Sequence, residues 1–145
     1  MSQENVELVR RLYAATPGLR DSVPDDDPGF LDRIFRDFFD TDFVFRWPPE
    51  YPEGSRVLQG REGMMAFIAM LREVWSEWRF VPERFFDDDD RVLVFVRVIA
   101  VGHESGVAVE AEAGHIWTIQ DGRAKSVGVY RDRSEALEAA GLEER

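Results

Sequence analysis

Hydrophobic and polar residues alternate along the segment EAGHIWTIQDG, which covers residues 112–122. A period of two is typical of a β-strand, because successive side chains of a strand point to opposite faces. One face of this predicted strand carries Ala113, His115, Trp117 and Ile119. A histidine on such an apolar face belongs either to a binding site or to the core, where its ring would be hydrogen-bonded.

The first predicted helix lies near the start of the chain and is followed by a loop. Three apolar residues share one face of the helix: Val6, Val9 and Tyr13. The loop extends from Thr16 to Gly29 and is rich in proline, glycine and aspartate, which favour turns.

Two further helices are expected before most of the strands. The second begins at Asp27, with Pro28 in its first turn, and buries one side: Phe30, Ile34 and Phe38. The third is the longest and is predicted from Glu62 to Trp78. Its apolar stripe has steps of four and three residues, as a buried helix face requires: Met64, Ile68, Leu71, Trp75 and Trp78.

The rest of the chain is predicted to be mainly strand. The expected strands cover residues 40–47, 79–86, 91–102, 107–119 and 124–132. The strand at 91–102 is almost continuously apolar, so we expect both of its faces to be covered. Pro82 indicates an edge strand or a bulge, because proline cannot donate a hydrogen bond to a neighbouring strand.

Turn signals separate these strands. Asp121-Gly122 predicts a tight hairpin, and Asp87–Asp90 is read as a solvated turn. A short final helix is expected, capped by Ser134 and closed by Gly141. Helices followed by consecutive antiparallel strands indicate one α+β domain over residues 1–145, with the helices packed on one face of a meander.

Composition excludes several kinds of function. The net charge is −11, which disfavours nucleic acid as a partner because phosphate binding needs clustered Lys and Arg. The chain has no cysteine, so disulfides, thiolate catalysis and zinc–thiolate sites are excluded. No apolar run approaches a membrane span, and the start lacks the apolar stretch of a signal peptide. We therefore expect a cytoplasmic protein that binds neither membranes nor nucleic acid.

Four segments together carry a resemblance to a known family. They are the opening helix ENVELVRRLYAA, the strand DFVFR, the segment LQGREG before the long helix, and the closing stretch HIWTIQDGRAKSVGVYRDRSEALEAAGL. Their order and spacing resemble the SnoaL-like polyketide-cyclase group of the superfamily named for nuclear transport factor 2. The resemblance covers nearly the whole chain.

The resemblance implies a cone, in which a curved antiparallel sheet wraps around the N-terminal helices and leaves a hydrophobic pocket at the wide end. It also implies a homodimer formed through the outer face of the sheet. It does not imply one activity, because this cone carries isomerases, cyclases, hydrolases and binding modules. Function has to be argued from the site.

His115 and Trp117 are the first candidates for that site. By the resemblance, the position of His115 corresponds to an acidic group of ketosteroid isomerases that donates a hydrogen bond to an oxyanion. A histidine could donate such a bond or act as a general base, and a buried one would have a lowered pKa. Trp117 would form a flat wall of the pocket. The alternative is a core histidine bonded to a carbonyl or carboxylate.

Trp47 and Tyr13 are placed by the same resemblance. Trp47 stands where ketosteroid isomerases carry their proton-shuttling Asp before a proline, and an indole cannot abstract a proton. It would shape the mouth of the pocket or pack in the core. Tyr13 lies one residue out of register from the isomerases' oxyanion-binding Tyr, and one residue turns a helix by about 100°. It is either a polar group of the pocket or a packed side chain.

Two arginines complete the candidates. Arg97 interrupts an apolar strand, so it needs an acidic partner such as Glu110, Glu112 or Asp132, or it binds a ligand's carboxylate or enolate. Arg131 near the end of the last strand is a similar case. No metal site is expected from two histidines on separate elements, and no cofactor motif is present.

These observations support two hypotheses. The first is a cofactor-free acid–base enzyme of cyclase or isomerase type acting on an apolar cyclic ligand. His115 would be its base or hydrogen-bond donor, and the other candidates would line its pocket: Trp47, Trp117, Tyr13, Arg97 and Arg131. The alternative is a non-catalytic ligand-binding or dimerisation module.

Overall fold

The computed structural model describes residues 2–15, 29–47 and 56–142. Four helices and six strands are present in these ranges. The helices are α1 Ser2–Ala15, α2 Phe30–Asp37, α3 Gly60–Val74 and α4 Arg133–Ala140. The strands are β1 Phe39–Trp47, β2 Arg56–Gln59, β3 Trp75–Asp88, β4 Arg91–Gly102, β5 Ala108–Gln120 and β6 Arg123–Tyr130. No helix in the described part of the chain is long and apolar enough to cross a membrane.

All six strands form one curved, unclosed sheet with the order β2-β1-β6-β5-β4-β3. Strands β3 to β6 pair antiparallel as a meander, as the sequence predicts. The sheet is nevertheless mixed, because β1 pairs with β6 in parallel. The expected α+β cone is confirmed, with this one parallel pair as an addition to the predicted antiparallel sheet.

The inner face of the sheet is the face that packs against α1 and α3. Alternate residues of β4 point to it, and they join the main hydrophobic core with residues of both helices. Its most completely buried side chains include Val9, Phe43, Phe67, Leu71, Val92, Val94, Val96 and Val127. The two-residue period of β4 therefore places one set of valines in this core.

The outer face of the sheet carries the other set of β4 residues. Leu93 and Phe95 form a second core with Ile116 and with α4. Both faces of this part of β4 are thus covered, as predicted, but the expectation that all helices lie on one face is wrong. Gly114 explains how α4 approaches so closely, because a Cβ atom there would lie 2.5 Å from the Cβ of Ala136.

The third helix ends earlier than predicted. It stops at Val74, and Trp75 has extended backbone angles (φ −123°, ψ 138°) as the first residue of β3. The sequence predicts Trp78 in the helix because this residue continues the helical stripe. Trp78 and Phe80 are also two residues apart, so they share one face of a strand, and β-structure favours bulky aromatic residues. Here the sheet prevails over the helical period, since β3 pairs with β4 along nearly its whole length.

The turns largely follow their sequence signals. Asp121 and Gly122 both have positive φ, 54° and 74°, as a tight hairpin requires. The β3–β4 hairpin turns at Asp89–Asp90, within the predicted aspartate run. Strand β3 is an edge strand, and its register shifts after Pro82. Both interpretations of this proline, an edge strand and a bulge, are therefore confirmed.

The last helix is capped by a different residue from the one predicted. The Asp132 carboxylate, rather than Ser134, accepts a hydrogen bond at 2.7 Å, and its donor is the Ser134 backbone N–H. Gly141 closes the helix with φ 71°, as expected. The predicted helix start at Asp27 and Pro28, and the loop from Thr16 up to Gly29, lie outside the described residues.

Candidate functional site

A cavity of about 220 Å³ lies between the inner face of the sheet and α3. Most of its wall is apolar, and three of its residues have acidic or basic side chains: Glu112, His115 and Arg131. The remaining lining residues are Phe45, Phe67, Trp78, Phe80, Val98, Ala111, Ala113 and Val129. Small-molecule sites commonly have this character, with an apolar wall and a few polar groups.

His115 lies in the middle of β5 and is only 3% exposed. It pairs with Val94 of β4 on one side and with Val129 of β6 on the other, so strands flank it on both sides. The Phe80 ring of β3 packs edge-on against the imidazole, with centroids 4.8 Å apart. The backbone and the aromatic neighbours therefore hold the imidazole in one place at the cavity wall.

A chain of hydrogen bonds determines which nitrogen of His115 carries a proton. Trp117 Nε1 donates to the Tyr13 hydroxyl at 2.9 Å, and this hydroxyl lies 2.7 Å from His115 Nδ1. An indole N–H can only donate, so the hydroxyl accepts from Trp117 and its own proton is available for Nδ1. We assign His115 as the neutral tautomer with its proton on Nε2, because the other tautomer would leave the hydroxyl proton of Tyr13 out of the hydrogen bond to His115.

Two buried N–H groups of the cavity residues have no hydrogen-bond partner among the described residues. They are His115 Nε2 and Trp78 Nε1. A buried donor without a partner costs about 1–3 kcal/mol. Such groups are uncommon in native proteins and call for an explanation. Both belong to residues that line the same cavity.

Burial keeps the histidine and the tyrosine neutral. It lowers the pKa of His115 to about 3, because an imidazolium would lose its hydration. Burial also raises the pKa of Tyr13 well above its usual value, and the hydrogen bond from Trp117 opposes this only in part. At neutral pH both groups of the pair are therefore uncharged.

Trp117 supports this pair through its hydrogen bond to the Tyr13 hydroxyl rather than from the cavity wall. It is 7% exposed and is not one of the lining residues. Its ring packs against Phe39 and Phe43, with centroids 6.4 and 6.2 Å away. The structure therefore places Trp117 next to Tyr13 rather than at the predicted wall. The backbone of Trp47 ends β1, and its side chain lies outside the described part of the structure.

The two arginines are placed differently from each other. Arg131 follows β6 and lines the cavity together with His115. Arg97 points to the outer face, where its Nε lies 3.1 Å from Glu83 Oε2 and its Nη1 lies 3.9 Å from Glu110. Glu110 was one of the expected partners of Arg97, whereas Glu83 was not foreseen. Arg97 and Arg131 both line a depression on the outer face, but Arg97 is not among the residues that line the cavity with His115.

An ion-pair network surrounds Arg97 on the outer face. Arg133 contacts Glu83 at 2.5 Å and Glu112 at 2.7 Å. The hydrogen bond from Arg133 and, to a smaller extent, the one from Arg97 hold the pKa of Glu83 below its usual value. The network lines a wide surface depression of about 890 Å³ on the outer side of the sheet. Its cations are paired with carboxylates, which favours a structural role.

Sequence reasoning did not select the aromatic residues that shape the cavity. Trp78 and Phe80 come from β3, Phe45 from β1 and Phe67 from α3. The alternation of Trp78 and Phe80 with exposed Glu77 and Arg79 was the available signal for the first two. In the described part of the chain, no group of three or more His, Asp or Glu residues could hold a metal ion.

The fold and the cavity together define a cone-shaped α+β pocket protein of the nuclear transport factor 2-like type. The chain belongs to the SnoaL-like domain family, whose model matches residues 27–127. A search of curated proteins finds no significant match.

Three solved structures illustrate the likeness of fold. An NTF2-like protein of unknown function from Burkholderia pseudomallei has 20% identity and a TM-score of 0.68, over 93% of this chain and 95% of that chain. TerC, co-crystallised with polyporic acid, has 23% identity and a TM-score of 0.70, over 95% and 98%. A protein from Catenulispora acidiphila with a ketosteroid isomerase-like fold, in complex with trimethylamine, has 16% identity and a TM-score of 0.66, over 94% of each chain.

Proposed function

We propose that the protein binds a small, apolar, cyclic molecule in the inner cavity and holds an acceptor oxygen of that molecule with His115 Nε2–H. The observation that carries the proposal is this buried donor, which belongs to a residue of the cavity wall and has no partner among the described residues. A ligand carbonyl or enolate would remove the cost of the unpaired donor and would gain a hydrogen bond in an apolar setting.

The size of the cavity supports a ligand of one or two rings. At about 220 Å³ it is smaller than the roughly 300–1,000 Å³ of pockets for drug-sized ligands. Aromatic side chains on its wall suit the faces and edges of a flat ring. The neighbours co-crystallised with polyporic acid and with trimethylamine support the idea that this type of cone receives small organic molecules.

The chemistry that fits His115 is hydrogen-bond donation rather than proton abstraction. Both roles were open from the sequence. A base with a pKa of about 3 has little tendency to take a proton at neutral pH. A fixed N–H donor in a buried cavity can instead polarise a carbonyl and stabilise negative charge on its oxygen, without a cofactor. We propose this role for a reaction of isomerase or cyclase type.

A second candidate function is a non-catalytic binding module. The observation that favours it concerns the possible base: Glu112, the acidic residue among those that line the cavity, directs its carboxylate to the outer face, where Arg133 holds it at 2.7 Å. A carboxylate on that face is not placed to take a proton from a ligand in the inner cavity. Binding without proton transfer would identify this function.

The proposal is tested with 1-tetralone, a two-ring ketone, and with tetralin, the matched hydrocarbon. We expect 1-tetralone to bind more tightly than tetralin and His115→Phe to remove the difference. Incorporation of deuterium next to the carbonyl in D₂O, followed by NMR, then reports catalysis. Exchange that depends on His115 supports the enzyme, whereas binding without exchange supports the module. Equal binding of both probes would contradict the role of His115.

We also keep two expectations from the sequence as proposals. A homodimer would use the part of the outer face that α4 leaves uncovered, and light scattering on the purified protein tests the oligomeric state. A cytoplasmic location is tested by fractionation of the cells that produce the protein.

A further inference from the structure

We propose that Trp78 is a second ligand-binding donor and that the natural ligand carries two acceptor atoms, one for Trp78 Nε1–H and one for His115 Nε2–H. This inference rests on the proposed function and narrows the ligand from a ring with one carbonyl to a dione, a quinone or a related pair of acceptors.

The first argument is that the two donors share the same unusual state. Each N–H is buried, each belongs to a residue of the cavity wall, and neither has a partner among the described residues. An indole N–H is normally satisfied when it is buried. One unpaired donor could be tolerated as a local cost, but two in the same small cavity indicate a ligand that satisfies both.

The second argument is the separation of the two donors in the sheet. Trp78 pairs with Ala100 of β4, whereas His115 pairs with Val94, which is six residues earlier in the same strand. The Phe80 ring contacts both side chains edge-on, with centroids 5.9 Å from Trp78 and 4.8 Å from His115. Because separate positions of the sheet hold the two donors, we assign them to two acceptor atoms rather than to one shared oxygen.

The third argument concerns the fixed direction of both groups. Trp78 packs against Trp75, with ring centroids 5.4 Å apart, and against Phe80. An indole cannot exchange its donor for an acceptor, and the hydroxyl of Tyr13 keeps the proton of His115 on Nε2. The cavity therefore selects ligands that accept at both positions, and it disfavours ligands that place a donor there.

The experiment adds two diketones to the earlier probes, 1-tetralone and tetralin. These are 1,4-naphthoquinone and 1,3-indandione, whose oxygen atoms have different spacings. The chain has no cysteine that could add to the quinone. We expect at least one diketone to bind about tenfold more tightly than 1-tetralone, the gain of one hydrogen bond. Trp78→Phe should abolish this advantage, so that its effect on the affinity for the diketone is about tenfold larger than its effect on the affinity for 1-tetralone.

A matched control and a direct signal complete the test. Phe86→Leu changes an aromatic residue of the same strand that packs against the outer-face cluster and does not line the cavity, and it should preserve the advantage. The indole N–H resonance of Trp78, one of four in the chain, should shift with the diketone and not with 1-tetralone. Tight binding of 1-tetralone that depends on His115, together with a Trp78→Phe variant that binds every probe normally, overturns the second donor alone. Failure of all probes to bind overturns both proposals.

Discussion

The hydroxyl of Tyr13 lies 2.7 Å from Nδ1 of His115, although the two residues are 102 positions apart in the chain. This contact joins the first helix to the middle of the sheet. It also decides which nitrogen of the imidazole faces the cavity as a donor. One hydroxyl group therefore links the stability of the fold to the chemistry of the candidate site.

Tyr13→Phe should destabilise the protein and weaken ligand binding. Without the hydroxyl, the buried groups Trp117 Nε1–H and His115 Nδ1 both lose their partner. We expect the free energy of unfolding to fall by about 2 kcal/mol or more, and 1-tetralone to bind less tightly because the tautomer of His115 is no longer held. Urea unfolding and calorimetry measure these two effects.

Tyr130→Phe is the matched control for this experiment. Tyr130 packs against the cluster on the outer face, away from the cavity. We expect the loss of the Tyr130 hydroxyl to leave the binding of 1-tetralone unchanged. A Tyr13→Phe variant as stable as the wild type would show that the hydrogen-bond chain does not contribute as described.

Stability should rise with pH between about 3 and 6.5 because of His115. The folded protein holds the pKa of this residue at about 3, against 6.5 for an ordinary histidine. In this window the unfolded chain binds a proton that the folded protein excludes, so lower pH favours unfolding. The contribution is complete above pH 6.5 and is lost as the pH falls, with a slope of up to about 1.4 kcal/mol per pH unit.

Urea unfolding at a series of pH values measures this slope. His115→Gln should flatten it, because every carboxylate of the wild type remains in the variant and the difference between the two proteins reports His115. His103→Gln changes the same residue type in the exposed turn after β4 and serves as the control. Equal slopes for His115→Gln and the wild type would refute a buried neutral histidine.

Gly114→Ala should destabilise the packing of α4 on the sheet. The added methyl group would lie 2.5 Å from the Cβ of Ala136, which is fully buried. We expect a loss of about 1–3 kcal/mol from this overpacking. Ala136→Gly in the same chain should recover part of the loss, although glycine itself costs a helix about 1 kcal/mol. A double-mutant cycle measures the coupling, and a coupling of zero would contradict the contact.

Arg97→Gln should leave ligand binding within about twofold of the wild type. Arg97 lies on the outer face in contact with Glu83, on the opposite side of the sheet from His115. Arg131→Gln removes the same kind of charge from a residue that lines the cavity, and we expect a larger change in affinity from it. Calorimetry with 1-tetralone compares the two variants, and a marked loss of affinity in Arg97→Gln would argue against this placement.

Much of the fold could be predicted because its signals are local. The hairpin at Asp121-Gly122 needs positive φ at both residues, and their chemistry indicates it. The alternation around His115 correctly places Trp117 and Ile119 on the same face, in the main core. The end of α3 was missed because Trp75 and Trp78 continue a helical period and also suit a strand. Pairing of β3 with β4, a long-range interaction, decided between them.

The sequence by itself determined most of the elements, their order and the face on which His115 lies, because period and turn chemistry act between neighbouring residues. It did not predict β2, whose four residues lie in a stretch read as an exposed loop and pair with β1 in the fold. The tertiary structure decided the partners of each candidate. It brought Tyr13 to His115 and placed Trp117 next to Tyr13 rather than in the cavity wall. It also directed Arg97 to the outer face of the sheet and added Trp78 to the wall. A period specifies a face, whereas a partner depends on register and on the curvature of the sheet, which arise from contacts between distant parts of the chain.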